Sequence, residues 1–252
     1  MNLHLGLPGP VRVLIEPTTT CNLRCRHCGV NDAAYRHETL PWSTFERTLP
    51  FLRRTRPEVE LYGHGESLAC RRFPEMFRAV VEAGSRVSFL TNGMLLTPEL
   101  VDQLLVHAGP RGWHTLNVSI DAATPELFAE VRRGARLETI VQNLAYLAEA
   151  RGRRGLHHPV VAFNTVAMAM TVHELPGIVR LAQSVGAERV TVVDLLEYDF
   201  FQDQNVVHDF DHARPFFLAA QATAKETGVR FNLTAGIRSL LDTPRAADER
   251  PS

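Results

Sequence analysis

The chain carries near its N-terminus the stretch Cys21-Asn22-Leu23-Arg24-Cys25-Arg26-His27-Cys28, which places three cysteines within eight residues. Their spacing is C-x3-C-x2-C. Three thiolates on one short loop can bind three irons of a cubic [4Fe–4S] cluster and leave the fourth iron open to a ligand from outside the protein. An open iron is a position where a redox cofactor can chelate and be cleaved. The loop therefore predicts radical chemistry rather than electron storage.

Two other uses of these cysteines compete with the cluster. A disulfide framework is disfavoured, because the 252 residues contain only four cysteines, three of them are crowded together, and no signal peptide precedes them. A structural zinc site is the stronger alternative, since C-x2-C is half of a common zinc-binding pattern. Zinc needs a fourth ligand; His27 lies between two cysteines and cannot easily reach the same ion, so His37 is the candidate.

The composition is that of an ordinary soluble globular protein, 45% hydrophobic and 22% charged with a formal net charge of −1. We expect a single domain over residues 1–242 and a frayed tail at 243–252. The nearly neutral charge argues against a nucleic-acid partner. No apolar run is long enough to cross a membrane, so no membrane partner is expected and a cytoplasmic location is predicted.

The remaining sequence alternates strand and helix patterns from one end to the other. Such repeats predict parallel strands inside and helices outside. About six full units fall short of the eight of a complete barrel, so the predicted fold is an open, partial (β/α)6 barrel. Predicted strands cover residues 11–15, 59–62, 86–90, 115–120, 159–166, 189–195 and 229–233. Predicted helices include 43–52, with Ser43 or Thr44 as N-cap, and 73–83, 137–150, 175–185 and 213–227.

Polar residues collect where successive predicted strands end, which is where barrels of this kind carry their functional groups. The cysteines follow the first strand, and Gly63-His64-Gly65-Glu66 follows the second. Thr91-Asn92-Gly93 follows the third, while Ser119 and Asp121 lie at the fourth and Asn164 on the fifth. Each has an ordinary explanation alone, such as a turn at Asn92-Gly93 or a helix cap at Asp121. Their conjunction at successive strand ends favours a shared site.

Over about residues 10–200 the chain resembles the radical S-adenosylmethionine (SAM) enzymes, in the branch of the molybdenum-cofactor cyclases and the peptide-modifying enzymes. The cysteine spacing matches that family, with His27 where an aromatic residue is usual. Ser67 replaces the Pro that usually follows the family's G-x-G-E element. The matching elements are Glu16-Pro17-Thr18, Cys21-Asn22-Leu23-Arg24-Cys25, Tyr62-Gly63-His64-Gly65-Glu66, Thr91-Asn92-Gly93, Ser119-Ile120-Asp121, Arg133-Gly134 and Asn164.

The resemblance implies roles for these residues. Cys21, Cys25 and Cys28 bind the cluster, whose open iron binds the methionine part of SAM. The ammonium of SAM meets the loop of Gly63, His64, Gly65 and Glu66. Arg133, or its neighbour Arg132, pairs with the carboxylate, which a planar guanidinium does well. The other implied SAM-site residues are Asn92, Ser119, Asp121, Asn164 and, near the adenine, Leu195.

The resemblance also implies the reaction: an electron from an external donor such as flavodoxin or ferredoxin cleaves SAM to a 5′-deoxyadenosyl radical, which abstracts hydrogen from substrate. Four cysteines allow a single cluster, without a cysteine-rich C-terminal extension, and Cys70 is expected to be inert. The leading interpretation of the substrate is a small molecule, such as a sugar- or nucleoside-containing natural-product intermediate. The alternatives are a peptide- or protein-modifying enzyme and a non-catalytic zinc- or iron-binding protein. Residues 197–205 and Tyr35-Arg36-His37 are candidates to face the substrate, and a solvated loop is an equal alternative for the former.

Overall fold

A computed structural model of the chain describes residues 12–31, 34–196 and 200–243. Residues 244–252, most of the predicted frayed tail, lie outside this range, as do residues 197–199 of the predicted substrate loop. The strands are β1 (Arg12–Ile15), β2 (Arg24–Cys25), β3 (Glu58–Leu61), β4 (Arg86–Thr91), β5 (Trp113–Ser119), β6 (Arg132–Arg133), β7 (Val160–Val166), β8 (Arg189–Val193) and β9 (Arg230–Leu233). The helices are α1 (Trp42–Glu46), α2 (Leu49–Thr55), α3 (Phe73–Glu82), α4 (Pro98–Leu105), α5 (Pro125–Val131), α6 (Leu137–Arg153), α7 (Leu175–Ser184), α8 (Phe210–Thr227) and α9 (Ala235–Asp242).

Seven of these strands form one parallel sheet in the order β1-β3-β4-β5-β7-β8-β9. β1 and β9 each have one neighbour in this sheet, so the barrel stays open between them. This architecture confirms the predicted partial barrel. The two-residue strands β2 and β6 form a separate antiparallel pair, in which Cys25 lies opposite Arg132 and Arg24 opposite Arg133. That pair ties the cysteine loop to the segment after α5.

Side chains alternate along the strands between the face that packs against the helices, which is apolar, and the face toward the barrel interior, which carries polar groups. Val59, Leu61 and Phe89 are fully buried and belong to the continuous core beneath the helices. Phe89 stacks on Trp113 with ring centroids 5.4 Å apart. The positions between these residues face the barrel interior and carry polar groups, among them Ser88. The hydrophobic core therefore lies between the sheet and its helices, and the interior is left available for ligands.

The predicted helix 43–52 is wrong in its continuity and in its cap. The structure has two shorter helices, α1 and α2, because Pro50 lacks the N–H that an uninterrupted helix would need and stands instead in the first turn of α2. The N-cap of α1 is Pro41, and neither Ser43 nor Thr44 caps it. Helix α9 was not predicted.

Elsewhere the local signals act as expected. Gly84 follows α3 with φ +83°, a conformation in which a side chain would be strained. Thr97 caps α4 by accepting a hydrogen bond from the amide of Leu100 at 3.4 Å. Among the described residues, no helix combines the length and apolar character needed to cross a membrane.

Candidate functional site

A cavity of about 260 Å³ lies at the C-terminal ends of the barrel strands, and we call it the upper cavity. It brings together the cysteine loop, the loops after β3 and β4, and the ends of β5, β7 and β8. Eleven of the thirteen predicted site residues line it; Asp121 and Arg133 do not. The lining residues are Cys21, Leu23, Cys25, His27, Cys28, Gly63, His64, Gly65, Glu66, Leu90, Thr91, Asn92, Ser119, Arg132, Asn164, Val166, Val193, Asp194, Leu195 and Leu196.

The cysteine sulfurs accept contacts from several donors. The amide of Leu23 donates to the Sγ of Cys21 at 3.4 Å, and the side-chain amide of Asn92 lies 4.0 Å from the same sulfur. The guanidinium of Arg132 lies 3.9 Å from the Sγ of Cys25. Donors around sulfur stabilise the thiolate form, which is the form that binds iron.

Burial acts against that charge. It raises the pKa of the Cys21 thiol and raises the pKa of Cys25 to about 11, although the charge of Arg132 opposes the shift at both. A bound cation reverses this balance, because a coordinating thiol is deprotonated outright. The donor set therefore fits a cationic cluster that supplies positive charge to three partly buried sulfurs.

The spacing of the ligands also bears on the zinc alternative. No group of three or more His, Cys, Asp or Glu side chains in the described part of the chain converges closely enough to hold a single metal ion. A cubic cluster offers its irons at separate corners, so its thiolates stand farther apart than the ligands of one ion. The three cysteines line one cavity, and metal analysis distinguishes a cluster from a zinc ion there.

The loop after β3 is held against the loop after β1 by close backbone approach. A Cβ on Gly63 would overlap the carboxylate of Glu16, and a Cβ on Gly65 would overlap the backbone at Thr18. The Oε1 atom of Glu16 accepts hydrogen bonds from the amides of His64 at 2.5 Å and Gly65 at 3.4 Å. Both glycines are therefore required by packing. Glu16 belonged to a matching motif, but its role as a brace was not predicted.

Glu66 is buried, and its carboxylate is already engaged. Oε1 accepts from the hydroxyl of Thr91 at 2.6 Å and the amide of Leu68 at 3.2 Å, and Oε2 accepts from the amide of Asn92 at 2.7 Å. Burial raises the pKa of Glu66, and these hydrogen bonds oppose the rise. The carboxylate thus fixes the loop after β3 to the loop after β4.

Asp121 and Arg132 form a buried ion pair beneath the cysteine loop. The Oδ2 atom of Asp121 lies 2.7 Å from Nη2 of Arg132 and 3.5 Å from Nε2 of His27, and Oδ1 accepts from the amide of Val166 at 2.8 Å. Burial lowers the pKa of His27 to about 4, so its imidazole is neutral near pH 7 even beside Asp121. These contacts place Asp121 as a support of Arg132, outside the cavity where SAM contact was predicted.

The structure does not bring Arg133 into the upper cavity. Arg133 is exposed and borders a separate surface depression with Arg24, Arg26, Phe200 and Phe201. Neighbouring residues of a strand point to opposite faces, so burying Arg132 turns Arg133 outward. Its predicted contact with SAM stays a prediction, and the geometry favours Arg132 as the guanidinium near the site.

The other predicted residues divide between the cavity and its surroundings. Asn92, Ser119, Asn164 and Leu195 line the cavity. The centroid of the Tyr35 ring lies 6.1 Å from that of His64, so the segment after the cysteine loop approaches the loop after β3. Gln204 instead packs on the loop after β7, where its side chain accepts from the amide of Met170 at 3.0 Å.

Comparisons with known proteins agree with this geometry. The profile of the Radical SAM superfamily matches residues 15–182. The tungsten-containing aldehyde ferredoxin oxidoreductase cofactor-modifying protein of Pyrococcus furiosus is 25% identical over 198 residues, 77% of this chain and 54% of that protein. The GTP 3′,8-cyclase of Synechocystis is 26% identical over 236 residues, 92% of this chain and 65% of the cyclase. The chain thus spans between half and two thirds of the length of these two relatives.

The fold has matches among solved structures. Streptococcus suis SuiB bound to S-adenosylmethionine superposes with a TM-score of 0.70 at 18% identity, covering 89% of this chain and 50% of SuiB. SuiB has also been solved bound to its precursor peptide SuiA. At this identity the likeness establishes the fold, while the profile match covers most of the chain. The chain therefore belongs to the radical SAM superfamily, whose members are enzymes that use a [4Fe–4S] cluster and S-adenosylmethionine.

Proposed function

We propose that Cys21, Cys25 and Cys28 hold the cluster, that SAM binds in the upper cavity, and that the enzyme acts on a small polar molecule inside the barrel. The observation that carries the proposal is the upper cavity itself, where the three cysteines meet the loop after β3 and the strand ends. When bound, the cluster and SAM supply a 5′-deoxyadenosyl radical that abstracts a substrate hydrogen. The chain's own task is to orient both partners and to exclude water from between them.

Residues of the upper cavity take roles that follow from their contacts. The loop of Gly63, His64 and Gly65 presents backbone groups to the SAM ammonium, and Glu16 and Glu66 hold that loop in place from both sides. Arg132 supplies a buried positive charge beside the cysteines. Asn92, Ser119, Asn164 and Leu195 form the remaining SAM-facing surface.

An external electron donor fits the surface beside the cysteine loop. Arg24 and Arg133 lie opposite each other in the β2–β6 pair, and both side chains are exposed. Arg26 is next to them and pairs with Glu130 at 2.5 Å. An acidic donor such as flavodoxin or ferredoxin would meet complementary charge here, at the part of the chain that holds the cluster.

A peptide substrate is the second candidate. It is favoured by the structural likeness to SuiB, which binds the peptide SuiA. The open side of the barrel also gives an extended chain a path to the interior, because β1 has a neighbour on one side in the sheet and Leu14 is exposed there. The small-molecule proposal rests on the polar interior of the barrel, where a second cavity of about 620 Å³ is lined mainly by polar side chains.

Transfer of deuterium distinguishes the two candidates. Cells that produce this enzyme are grown on deuterated medium, and their extract is separated into a low-molecular-mass fraction and a peptide fraction. Each fraction is incubated anaerobically with reconstituted enzyme, SAM and a reductant, and deuterium in 5′-deoxyadenosine is measured by mass spectrometry. We expect deuterium transfer from the low-molecular-mass fraction and none with the variant in which the three cluster cysteines are replaced by Ala.

Two other results would contradict the proposal in different ways. Deuterium transfer from the peptide fraction alone would replace the small-molecule substrate by a peptide. Formation of no 5′-deoxyadenosine, even without substrate and with strong reductant, would overturn the assignment of the upper cavity to SAM cleavage.

A further inference from the structure

A second cavity, the lower chamber, lies beneath the upper cavity in the N-terminal half of the barrel. Its volume is about 620 Å³, and it is lined by side chains of β3, β4, β5, β7 and β8, with Arg12 of β1 at its rim. Leu90, Asn164 and Val193 line both cavities, so the two spaces are adjacent. A ligand in the lower chamber can therefore extend toward whatever occupies the upper cavity.

The lining of the lower chamber departs from ordinary barrel packing. Layers of branched apolar side chains fill the interior of complete barrels. Here the interior positions of the lower half carry Glu60, Ser88, Thr115 and Thr191, and Arg12 stands at the rim. Polar groups inside a protein cost free energy unless they are satisfied by hydrogen bonds. A polar interior of this size therefore indicates a space for water or for a polar ligand.

A β-bulge directs one more polar ring into this space. Val87 on β4 pairs with Trp113 on β5, but the next residue, Ser88, pairs with Thr115. The extra residue is His114, which lines the chamber together with Thr115. Bulges are found beside functional sites because they change the direction of a side chain. The bulge places His114 where regular pairing would have left it out of the lining.

Three groups of the chamber lining lack hydrogen-bond partners. They are the Oγ of Ser88, the Nδ1 of His114 and the Nε of Arg189, all inaccessible to solvent. The two carboxylates of the chamber already face a cation, since Arg12 lies 3.9 Å from Glu58 and 3.4 Å from Glu60. Arg189 has no carboxylate within ion-pair distance among the residues that the structure describes.

Several positive side chains lie near His114 and Arg189. Burial lowers the pKa of His114, and the charges of His158, Arg86 and Arg189 lower it further, with Glu58 acting in the opposite direction. Burial and the charge of Arg230 also lower the pKa of Arg189. Burial is the main cause of both shifts, and the positive neighbours add to it while Glu58 opposes it at His114 and Glu188 at Arg189. A bound anion would act in the same direction as these two carboxylates.

We propose that the lower chamber binds an anionic group of the substrate, a phosphate or a carboxylate, between Arg189 and His114. A guanidinium offers paired donors that match either anion, and Ser88 and His114 add hydrogen-bonding groups on the neighbouring strands. This inference rests on the proposed function, because it takes the molecule in the lower chamber to be the substrate. The proposed anion site narrows the substrate class to small polar molecules with an anionic group at one end. That end would lie away from the upper cavity.

Calorimetric titration with two simple anions tests the inference. Anaerobically reconstituted enzyme is titrated at constant ionic strength with sodium sulfate, a tetrahedral stand-in for a phosphate group, and with sodium acetate. We expect saturable binding of at least one anion, weakened about tenfold or more by Arg189→Gln, because a charge-assisted hydrogen bond is lost. His114→Gln should weaken it as well, and provides a second variant if Arg189→Gln folds poorly.

Arg230→Gln is the matched control. Arg230 is the register partner of Arg189 on β9, but it is exposed, does not line the chamber and lies 3.4 Å from Glu188, so its loss should weaken anion binding much less than Arg189→Gln does. Binding of sulfate alone indicates a phosphate-bearing substrate, and binding of acetate alone a carboxylate. Absence of binding to wild-type enzyme, or equal weakening by Arg189→Gln and Arg230→Gln, overturns the inference.

A parallel titration with SAM separates this inference from the proposed function. SAM affinity should be the same in wild-type enzyme and in Arg189→Gln. If wild-type enzyme binds the anion but not SAM, the proposed function fails and the anion site stands alone. If it binds SAM but neither anion, the proposed function stands and the anion site fails.

Discussion

The two halves of the barrel interior satisfy their polar groups differently. In the upper half the carboxylates of Glu16, Glu66 and Asp121 each accept hydrogen bonds or ion pairs from neighbouring loops. In the lower half the carboxylates of Glu58 and Glu60 face Arg12, and Arg189 has no carboxylate within ion-pair distance among the described residues. Buried polar atoms without a hydrogen-bond partner occur in both halves, on His27, Asp121 and Arg132 above and on Ser88, His114 and Arg189 below. The upper half therefore pairs its buried arginine with a carboxylate, whereas Arg189 in the lower half has no such partner among the described residues.

This difference suits an enzyme family in which one fold carries out the same radical-generating reaction on different substrates. The site that generates a radical needs its partners held in one geometry, and buried, hydrogen-bonded carboxylates provide that rigidity. The substrate site needs only complementary shape and charge at one end. Fold alone does not specify a substrate, so the unpaired groups of the lower chamber are more informative about it than the loops of the upper cavity.

The largest effect is expected from removing the three cysteines proposed to bind the cluster. Replacing Cys21, Cys25 and Cys28 together by Ala should abolish cluster absorption and the iron content that follows anaerobic reconstitution, because the described structure offers the cluster no other thiol in the upper cavity. Iron and sulfide analysis checks this result. Retention of a full cluster by the triple variant would show that the ligands lie elsewhere.

The next largest effect is expected at the buried ion pair that supports the upper half. Asp121→Ala leaves the Arg132 charge buried without its partner, so the free energy of unfolding should fall by about 3–5 kcal/mol. Denaturant unfolding of the protein without cluster measures it. The control is Asp102→Ala, which removes solvent-exposed contacts to Tyr146 and Arg154 and should lower the free energy of unfolding far less. Equal losses in the free energy of unfolding for the two variants would show that the buried ion pair contributes no more to stability than the surface contacts.

The adjacent arginines give a smaller and more specific test. Arg132→Lys keeps the buried charge but loses the planar fork, and should weaken SAM binding by about tenfold. Arg133→Ala removes an exposed side chain outside the cavity and should change SAM affinity by less than about threefold. Calorimetric titration with SAM measures both. If Arg133→Ala weakens SAM binding more than Arg132→Lys does, Arg133 pairs with the SAM carboxylate, as the Arg133-Gly134 motif predicts.

The smallest effect is expected at Cys70. This thiol is buried in the core beside α3, and burial raises its pKa, so it is not prepared for reaction. Cys70→Ala should keep cluster content and product formation near wild-type levels and reduce stability by about 1 kcal/mol. Product analysis and thermal unfolding measure these effects. Loss of product while 5′-deoxyadenosine still forms would assign Cys70 a role in donating hydrogen to a substrate radical.

The sequence predicts the upper half of the barrel better than the lower half, for a physical reason. The cysteine loop and the Gly63–Glu66 loop are contiguous motifs whose residue types follow from the groups they must approach. The choice between Arg132 and Arg133 depends on which face of a two-residue strand is buried, and β2–β6 pairing brings together segments more than a hundred residues apart. That pairing has no local signature.

The lower chamber was not predicted because its signals are dispersed. Ser88, His114 and Arg189 lie on three strands and form no motif, and the bulge at His114 appears only in the register between β4 and β5. The break between α1 and α2 is different, since Pro50 was visible in the sequence and should have ended the predicted helix.

A structure of the anaerobically reconstituted enzyme with SAM would show whether the cluster and SAM occupy the upper half of the barrel alone. We expect a [4Fe–4S] cluster on Cys21, Cys25 and Cys28, with SAM in the upper cavity between the Gly63–Gly65 loop and Leu195, and Glu66 still bound to Thr91 and Asn92. The lower chamber should hold no part of SAM. A single zinc ion at the cysteines, or SAM seated in the lower chamber against Arg189, would contradict the division of the barrel into a fixed cofactor half and an open substrate half.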